Sequence, residues 1–153
     1  MKTKNLLFAA IMICSIVMVS CNQNEPKIGG VSFTEPCLEW GKSPSYVQQQ
    51  MEKKGYSVKE NDNNAYIMFT SPNSLENFQY YCFDNYKLDR VYIEISAYKT
   101  TEEDIARYLS EKYTFSTYED GLRTYYTKDG LTAIYFAKND ETFQIEYNSI
   151  VSD

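Results

Sequence analysis

Hydrophobic and polar positions change period in the same order twice along the chain after residue 42. Val47 and Met51 stand four residues apart, and so do Ile105 and Leu109. That spacing predicts two helices, each with one apolar face. Ser43 and Thr101 are good N-cap residues, and Pro44 suits the first helical position. Asp104, three residues after Thr101, stands where a capping box places its acid or amide. Gly55 ends the first helix as a C′ glycine.

Each helix is followed by four runs of period two. Residues 56–58 match 113–115, 66–70 match 123–127, 78–83 match 131–136, and 91–95 match 143–147. Turn-forming residues separate them at 61–64, 71–73, 119–121 and 128–130. Short links between alternating runs imply antiparallel meanders. A unit of about 55 residues buries little core by itself. The expected fold class is therefore α+β: a tandem α-β4 repeat sharing one antiparallel sheet, with two helices on one face. The first copy covers 43–98 and the second 99–153, as one globular unit.

Strand periodicity sorts the side chains. Val91, Ile93, Ile95, Phe143, Ile145 and Tyr147 fall on one side with Tyr81, Phe83, Ile134 and Phe136, and should meet the helices. The opposite side receives Tyr66, Met68, Tyr80, Tyr92, Glu94, Tyr125, Tyr135, Gln144 and Glu146. A solvated sheet face ordinarily carries Lys, Thr and Glu, whereas this one carries Tyr repeatedly. A tyrosine ring gives flat contact area with a wet hydroxyl at its tip. Either this face recognises a ligand, with Glu94 and Glu146 setting its polarity, or the rings brace one another across strands. Trp40, the single Trp, either stacks on a sugar ring beside that face or plugs the end of the core.

The N-terminus reads as an address. Lys2 and Lys4 precede an apolar run from residue 6 to 19, shorter than the roughly 20 residues of a spanning helix. Residues 1–20 thus form a signal peptide. Met18-Val19-Ser20-Cys21 resembles a bacterial lipobox, in which a small residue precedes the cysteine that is lipidated. The resemblance implies a lipid on Cys21, a membrane anchor, and a place in the bacterial cell envelope, on the outer membrane. Residues 21–42 would hold the lipidated Cys, a flexible tether from 22 to 30, and an N-terminal segment. Cys14 leaves with the signal. Cys37 and Cys82 remain, either as a disulfide or as two separate buried thiols.

Composition narrows the chemistry. With no His among 153 residues there is no Ser-His-Asp or Cys-His nucleophile and no His-ligated zinc. With 15 Lys+Arg against 21 Asp+Glu the chain lacks the basic surface of a nucleic-acid binder. There is no Gly-x-Ser-x-Gly elbow and no phosphate-cradling glycine loop, so neither catalysis, a metal nor a cofactor is expected. The twice-repeated order of helix and four strands, from Ser43 to Ile150, resembles the beta-lactamase-inhibitor-protein-like fold, with PepSY-type modules of related shape. Each copy here has room for one helix where the inhibitor-type unit has a helical pair, so no partner or binding residue is carried across. The expected function is a non-catalytic, lipid-anchored binding module for a protein or glycan. The alternatives are an assembly lipoprotein without a ligand site, or an inhibitor of an envelope enzyme.

Overall fold

The computed structural model describes residues 26–62, 65–71 and 75–150. The signal segment, the Cys21 lipidation site and residues 22–25 lie outside them. Among the described residues a short hairpin, β1 (Lys27–Ile28) and β2 (Val31–Ser32), precedes two α-β4 units. The first is α1 (Pro44–Lys53), β3 (Ser57–Asp62), β4 (Tyr66–Thr70), β5 (Glu76–Asp84) and β6 (Lys87–Ser96). The second is α2 (Glu102–Lys112), β7 (Thr114–Glu119), β8 (Leu122–Tyr126), β9 (Thr132–Lys138) and β10 (Thr142–Ser149).

The helices start where side chains cap them. Ser43 Oγ accepts from the Tyr46 amide at 3.4 Å, and Thr101 Oγ1 from the Asp104 amide at 3.2 Å. Glu102, Glu103 and Asp104 place negative charge at the N-terminus of α2, where the helix dipole favours it. Val47 and Met51 of α1 and Ile105 and Leu109 of α2 are fully buried against the sheet.

The strands form one antiparallel sheet in the order β3-β4-β5-β6-β10-β9-β8-β7. Each unit is a meander, and the two meet through their last strands, with Ile93 opposite Ile145. A bulge recurs at the same place in both outer strands, after Val58 in β3 and after Phe115 in β7. The helix side of the seam carries Val91, Ile93, Ile95, Phe143, Ile145 and Tyr147, all buried, with Tyr81, Phe83, Ile134 and Phe136 beside them. Pooling these side chains under both helices gives each short unit the core it cannot build alone.

The N-terminal segment completes this core and does not hang as a tether. Ile28 and Phe33 are buried, and the Phe33 ring meets Tyr108 of α2 edge-on at 5.3 Å. Gly29 turns the hairpin at φ +58°, and a Cβ there would stand 2.8 Å from Asp104 Oδ2, so a glycine lets the turn close onto α2. Glu35 then bridges the helices. Its backbone oxygen accepts from Lys54 Nζ at 2.8 Å, and its carboxylate takes Tyr108 Oη at 2.8 Å and pairs with Lys112. The tether reading of residues 22–30 is therefore corrected for 26–30: apolar residues beyond the Pro-Lys start anchor this stretch, and Gly29-Gly30 form a turn.

A polar layer lies under the segment. Glu76 and Gln79 of β5 are buried. Glu76 Oε1 accepts from Tyr56 Oη, from Gln79 Nε2 at 2.8 Å and from the Thr34 amide at 3.3 Å. Gln79 Nε2 also donates to the Thr34 carbonyl at 2.7 Å, and Tyr81 Oη donates to Gln79 Oε1 at 2.8 Å. These bonds satisfy most of a layer that would otherwise be costly to bury, with Glu76 Oε2 the atom left without a partner.

Candidate functional site

The face away from the helices is the candidate site, and strand periodicity builds it. One cross-strand row runs Glu60, Met68, Tyr80, Tyr92, Glu146, Tyr135, Thr124, Thr117 over all eight strands. A second runs Asp62, Tyr66, Cys82, Arg90, Asn148, Ala133, Tyr126. A third begins Phe78, Glu94, Gln144, Ala137, Leu122. The aromatic weight lies in the first unit, and the second unit's rows are mostly small or polar.

In the first unit the rings pair face to face. Tyr66 stacks on Tyr80 at 4.7 Å and 21°, and Phe78 lies over Tyr92 at 6.4 Å and 20°. Between them is an apolar hollow of about 390 Å³ lined by Met68, Phe78, Tyr80, Cys82, Arg90, Tyr92 and Glu146. Arg90 Nε reaches Glu146 Oε1 at 3.5 Å on its wall. Asn77 Nδ2 donates to Glu94 Oε1 at 3.0 Å beyond the Phe78 end. Tyr66 donates its hydroxyl to Glu60, and this bond, helped by partial burial, pushes the phenol up to about 12. Burial raises the Tyr80 phenol. Burial and the charges of Glu94 and Glu146 raise that of Tyr92. The three hydroxyls are therefore protonated donors at neutral pH. Burial also raises the Cys82 thiol, so it is no thiolate nucleophile there. The site offers ring faces, hydroxyl donors and a guanidinium–carboxylate pair.

One sequence expectation changes, and two alternatives left open are decided. Tyr125 is buried on the helix side, opposite Ile134 and edge-on to Phe115 at 5.5 Å. The turn before it holds only Asp120 and Gly121, both at positive φ, so β8 starts at Leu122 and not at Arg123. That slip of one residue turns every side chain over, so Tyr125 is the counterpart of Phe69, not of Met68. Trp40 is not beside the open face. Its Nε1 donates to Thr132 Oγ1 at 2.9 Å, and the ring packs on the core from the helix side, closing one end of it. Cys37 and Cys82 are free, because the sheet separates them. Cys37 lies in the segment over the helix side, its amide donating to Tyr81 Oη at 3.0 Å, while Cys82 faces the hollow. The segment holding Cys37 accordingly covers the helix side and leaves the tyrosine face open.

Tyr66, Tyr80, Tyr92, Glu94, Tyr135 and Glu146 do share the open face, though Tyr135 stands apart from the hollow among Thr124, Ala133 and Ala137. The sequence reading missed Phe78, Cys82 and Arg90 as lining residues. The signal was present: Phe78 and Cys82 flank Tyr80, and Arg90 precedes Tyr92, each two residues away on the same side. Among the described residues no group of three His, Cys, Asp or Glu side chains is placed to hold a metal ion. The chain matches no known family model, and no curated protein and no solved structure matches it.

Proposed function

We propose that this protein is a non-catalytic binding module of the bacterial cell envelope, anchored by lipid on Cys21, whose ligand seats in the hollow of the first unit. The observation that carries the proposal is an apolar hollow on an uncovered sheet face, ringed by Met68, Phe78, Tyr80 and Tyr92. Antiparallel sheets open to water ordinarily alternate to polar residues on that side. The second unit follows that rule more closely, with Thr117, Thr124 and Gln144 outward and with Tyr135 and Tyr126 in no stacked ring pair among the described residues, so the same architecture does not require the first unit's cluster of rings. Rings with protonated hydroxyl tips suit a protein segment or a glycan, both of which combine flat apolar patches with hydrogen-bonding groups.

The test starts with the purified lipoprotein and envelope extracts or a glycan array, followed by titration of whatever binds. Tyr80→Ala and Tyr92→Ala should each weaken binding by about tenfold or more, the scale of an aromatic hot spot. Trp40→Ala should leave affinity unchanged in any variant that stays folded. Binding that ignores both tyrosine substitutions would end the proposal. Cys21→Ser should release the protein from membranes, and retention would refute the anchor. The stacked pairs Tyr66–Tyr80 and Phe78–Tyr92 favour a second reading, in which the rings serve the sheet alone. That reading is preferred if Tyr80→Ala costs stability while every detected interaction survives.

A further inference from the structure

The two ends of the sheet are built from equivalent strands and finish differently. β3 and β7 each pair with one neighbour, each carry the shared bulge, and each are exposed at all six positions. An edge strand leaves a row of backbone N–H and C=O groups without partners, and charged side chains are the usual guard against pairing with another chain. β3 has that guard in Lys59, Glu60 and Asp62. β7 reads Thr114, Phe115, Ser116, Thr117, Tyr118, Glu119, so its one charge stands at its last position. Four of its six residues, Thr114, Phe115, Thr117 and Tyr118, are strong strand formers. Exposed apolar side chains gather around it: Phe115 at 49%, Tyr118 at 55%, and Leu122 and Tyr126 of the next strand at 38% and 37%.

The pattern of β7 also says what fits it. The bulge brings Phe115 and Tyr118 to the same, helix-side face, opposite Tyr125 and Arg123 respectively. A two-fold axis between Ser116 and Thr117, with two β7 strands running antiparallel, sets Phe115 against Tyr118 of the second copy. The symmetry makes that aromatic pair twice on one face, and such cross-strand pairs stabilise antiparallel sheets. The same register sets Thr114 against Glu119, so no like charges meet. A β7-to-β3 contact would lay the guarded edge beside the unguarded one and, being head-to-tail, would build a ring or an open chain rather than a two-fold pair.

We infer that β7 is a self-association edge: a second copy of this chain adds its own β7 antiparallel, and the two sheets run on as one across a two-fold axis. The surface is distinct from the tyrosine hollow, so this inference does not depend on the proposed ligand. An interface of one strand pair lies at the small end of the range, below about 1,200 Å², and should be of a transient kind.

The experiment is sedimentation equilibrium of the full chain in a density-matched mild detergent, over the micromolar range up to the solubility limit. The wild type should show a reversible monomer–dimer equilibrium. Thr117→Lys, an exposed edge substitution that sets like charges near the axis, should weaken dimerisation about tenfold or more. Lys59→Thr on β3 and Tyr92→Ala on the open face should leave it unchanged. A wild type that stays monomeric overturns the inference, and so does a Thr117→Lys dimer as tight as the wild type. Dimerisation abolished by Lys59→Thr or Tyr92→Ala would place the contact on another surface and equally overturn it. Far-ultraviolet circular dichroism of each variant separates lost association from lost fold.

Discussion

Removing one buried hydroxyl tests how the N-terminal segment is held. Tyr81 is fully buried on the helix side of β5, and its ring meets Phe69 edge-on at 5.5 Å. Its oxygen accepts from the Cys37 amide at 3.0 Å and donates to Gln79 Oε1 at 2.8 Å. Tyr81→Phe keeps the ring and its packing but strands both partners where water does not reach. Each orphaned group costs about 1–3 kcal/mol, less about 1 kcal/mol recovered because a hydroxyl is no longer buried. The expected net loss is about 1–5 kcal/mol, a large part of the roughly 5–15 kcal/mol that holds a domain folded. Urea unfolding reads this directly, with Trp40, the single Trp, as fluorescent reporter beside Thr132. At an m-value of about 2 kcal/mol/M, itself unchanged, the midpoint should fall by about 0.5–2.5 M. Tyr92→Phe, whose hydroxyl lies on the open face, should stay within about 0.5 kcal/mol of the wild type. Equal midpoints for the two variants would refute the argument that the segment is bonded into the core through this hydroxyl.

Three further outcomes follow from the charged groups. Burial works to raise the Glu35 carboxyl, but bonds from Lys112 and Tyr108 and the charges of Lys112 and Lys54 outweigh it and hold the group below its ordinary 4.5. A depressed carboxyl contributes stability above its unfolded value and loses it as pH falls through the folded one. Wild type should therefore exceed Glu35→Gln in stability at neutral pH, with the gap closing on acidification below about 4.5; a gap that does not narrow would count against the bridge. The Tyr66 phenol, held up to about 12 by Glu60, keeps that bond's contribution below pH 10 and loses it as pH rises through 12. In a phenolate absorbance titration, Glu60→Gln should bring one tyrosine down toward 10. Arg123 takes the position of Ile67 in the repeat, pairs with Glu102 at 3.1 Å and lies 4.7 Å over the Tyr118 ring, yet its Nε is buried without a partner. Replacing such a pair with apolar side chains is often neutral or stabilising, so Arg123→Ile with Glu102→Gln should lose no more than about 1 kcal/mol in thermal or urea unfolding.

The repeat, the helix caps and the seam were legible because each rests on local periodicity. Val91, Ile93 and Ile95 alternate with polar neighbours in one phase, and Phe143, Ile145 and Tyr147 do the same, so no knowledge of the partner strand is needed to face them inward. Tyr125 was not legible, because its side depends on whether the preceding turn takes two residues or three, and an aromatic pair at 125 and 126 suits either answer. The N-terminal segment was not legible for a different reason. Residues 26–42 have no period, and what fixes them is distant: Tyr81 for Cys37, Thr132 for Trp40, Tyr108 for Phe33 and Glu35. Glu76 and Gln79 look like surface residues in sequence, and only that segment, by covering them, makes them core.

That cover explains why one face is left open. Two α-β4 units joined edge to edge bury one side of a wide sheet under two narrow helices, and the gap between the helices must be filled. Residues 26–42 fill it from the helix side, through Ile28, Phe33 and Glu35. Nothing among the described residues crosses to the other side, so the outward rows are relieved of packing duty and the two units are free to differ there. They do differ. The first gathers Met68, Phe78, Tyr80 and Tyr92 around a hollow, while the second sets Tyr135 and Tyr126 among Thr124, Ala133 and Ala137 and leaves its edge strand without the charges of β3. The contrast between halves that share strand order, bulge and helix phase is the ground on which a binding role for the hollow is proposed, and the tyrosine substitutions test it against bracing of the sheet.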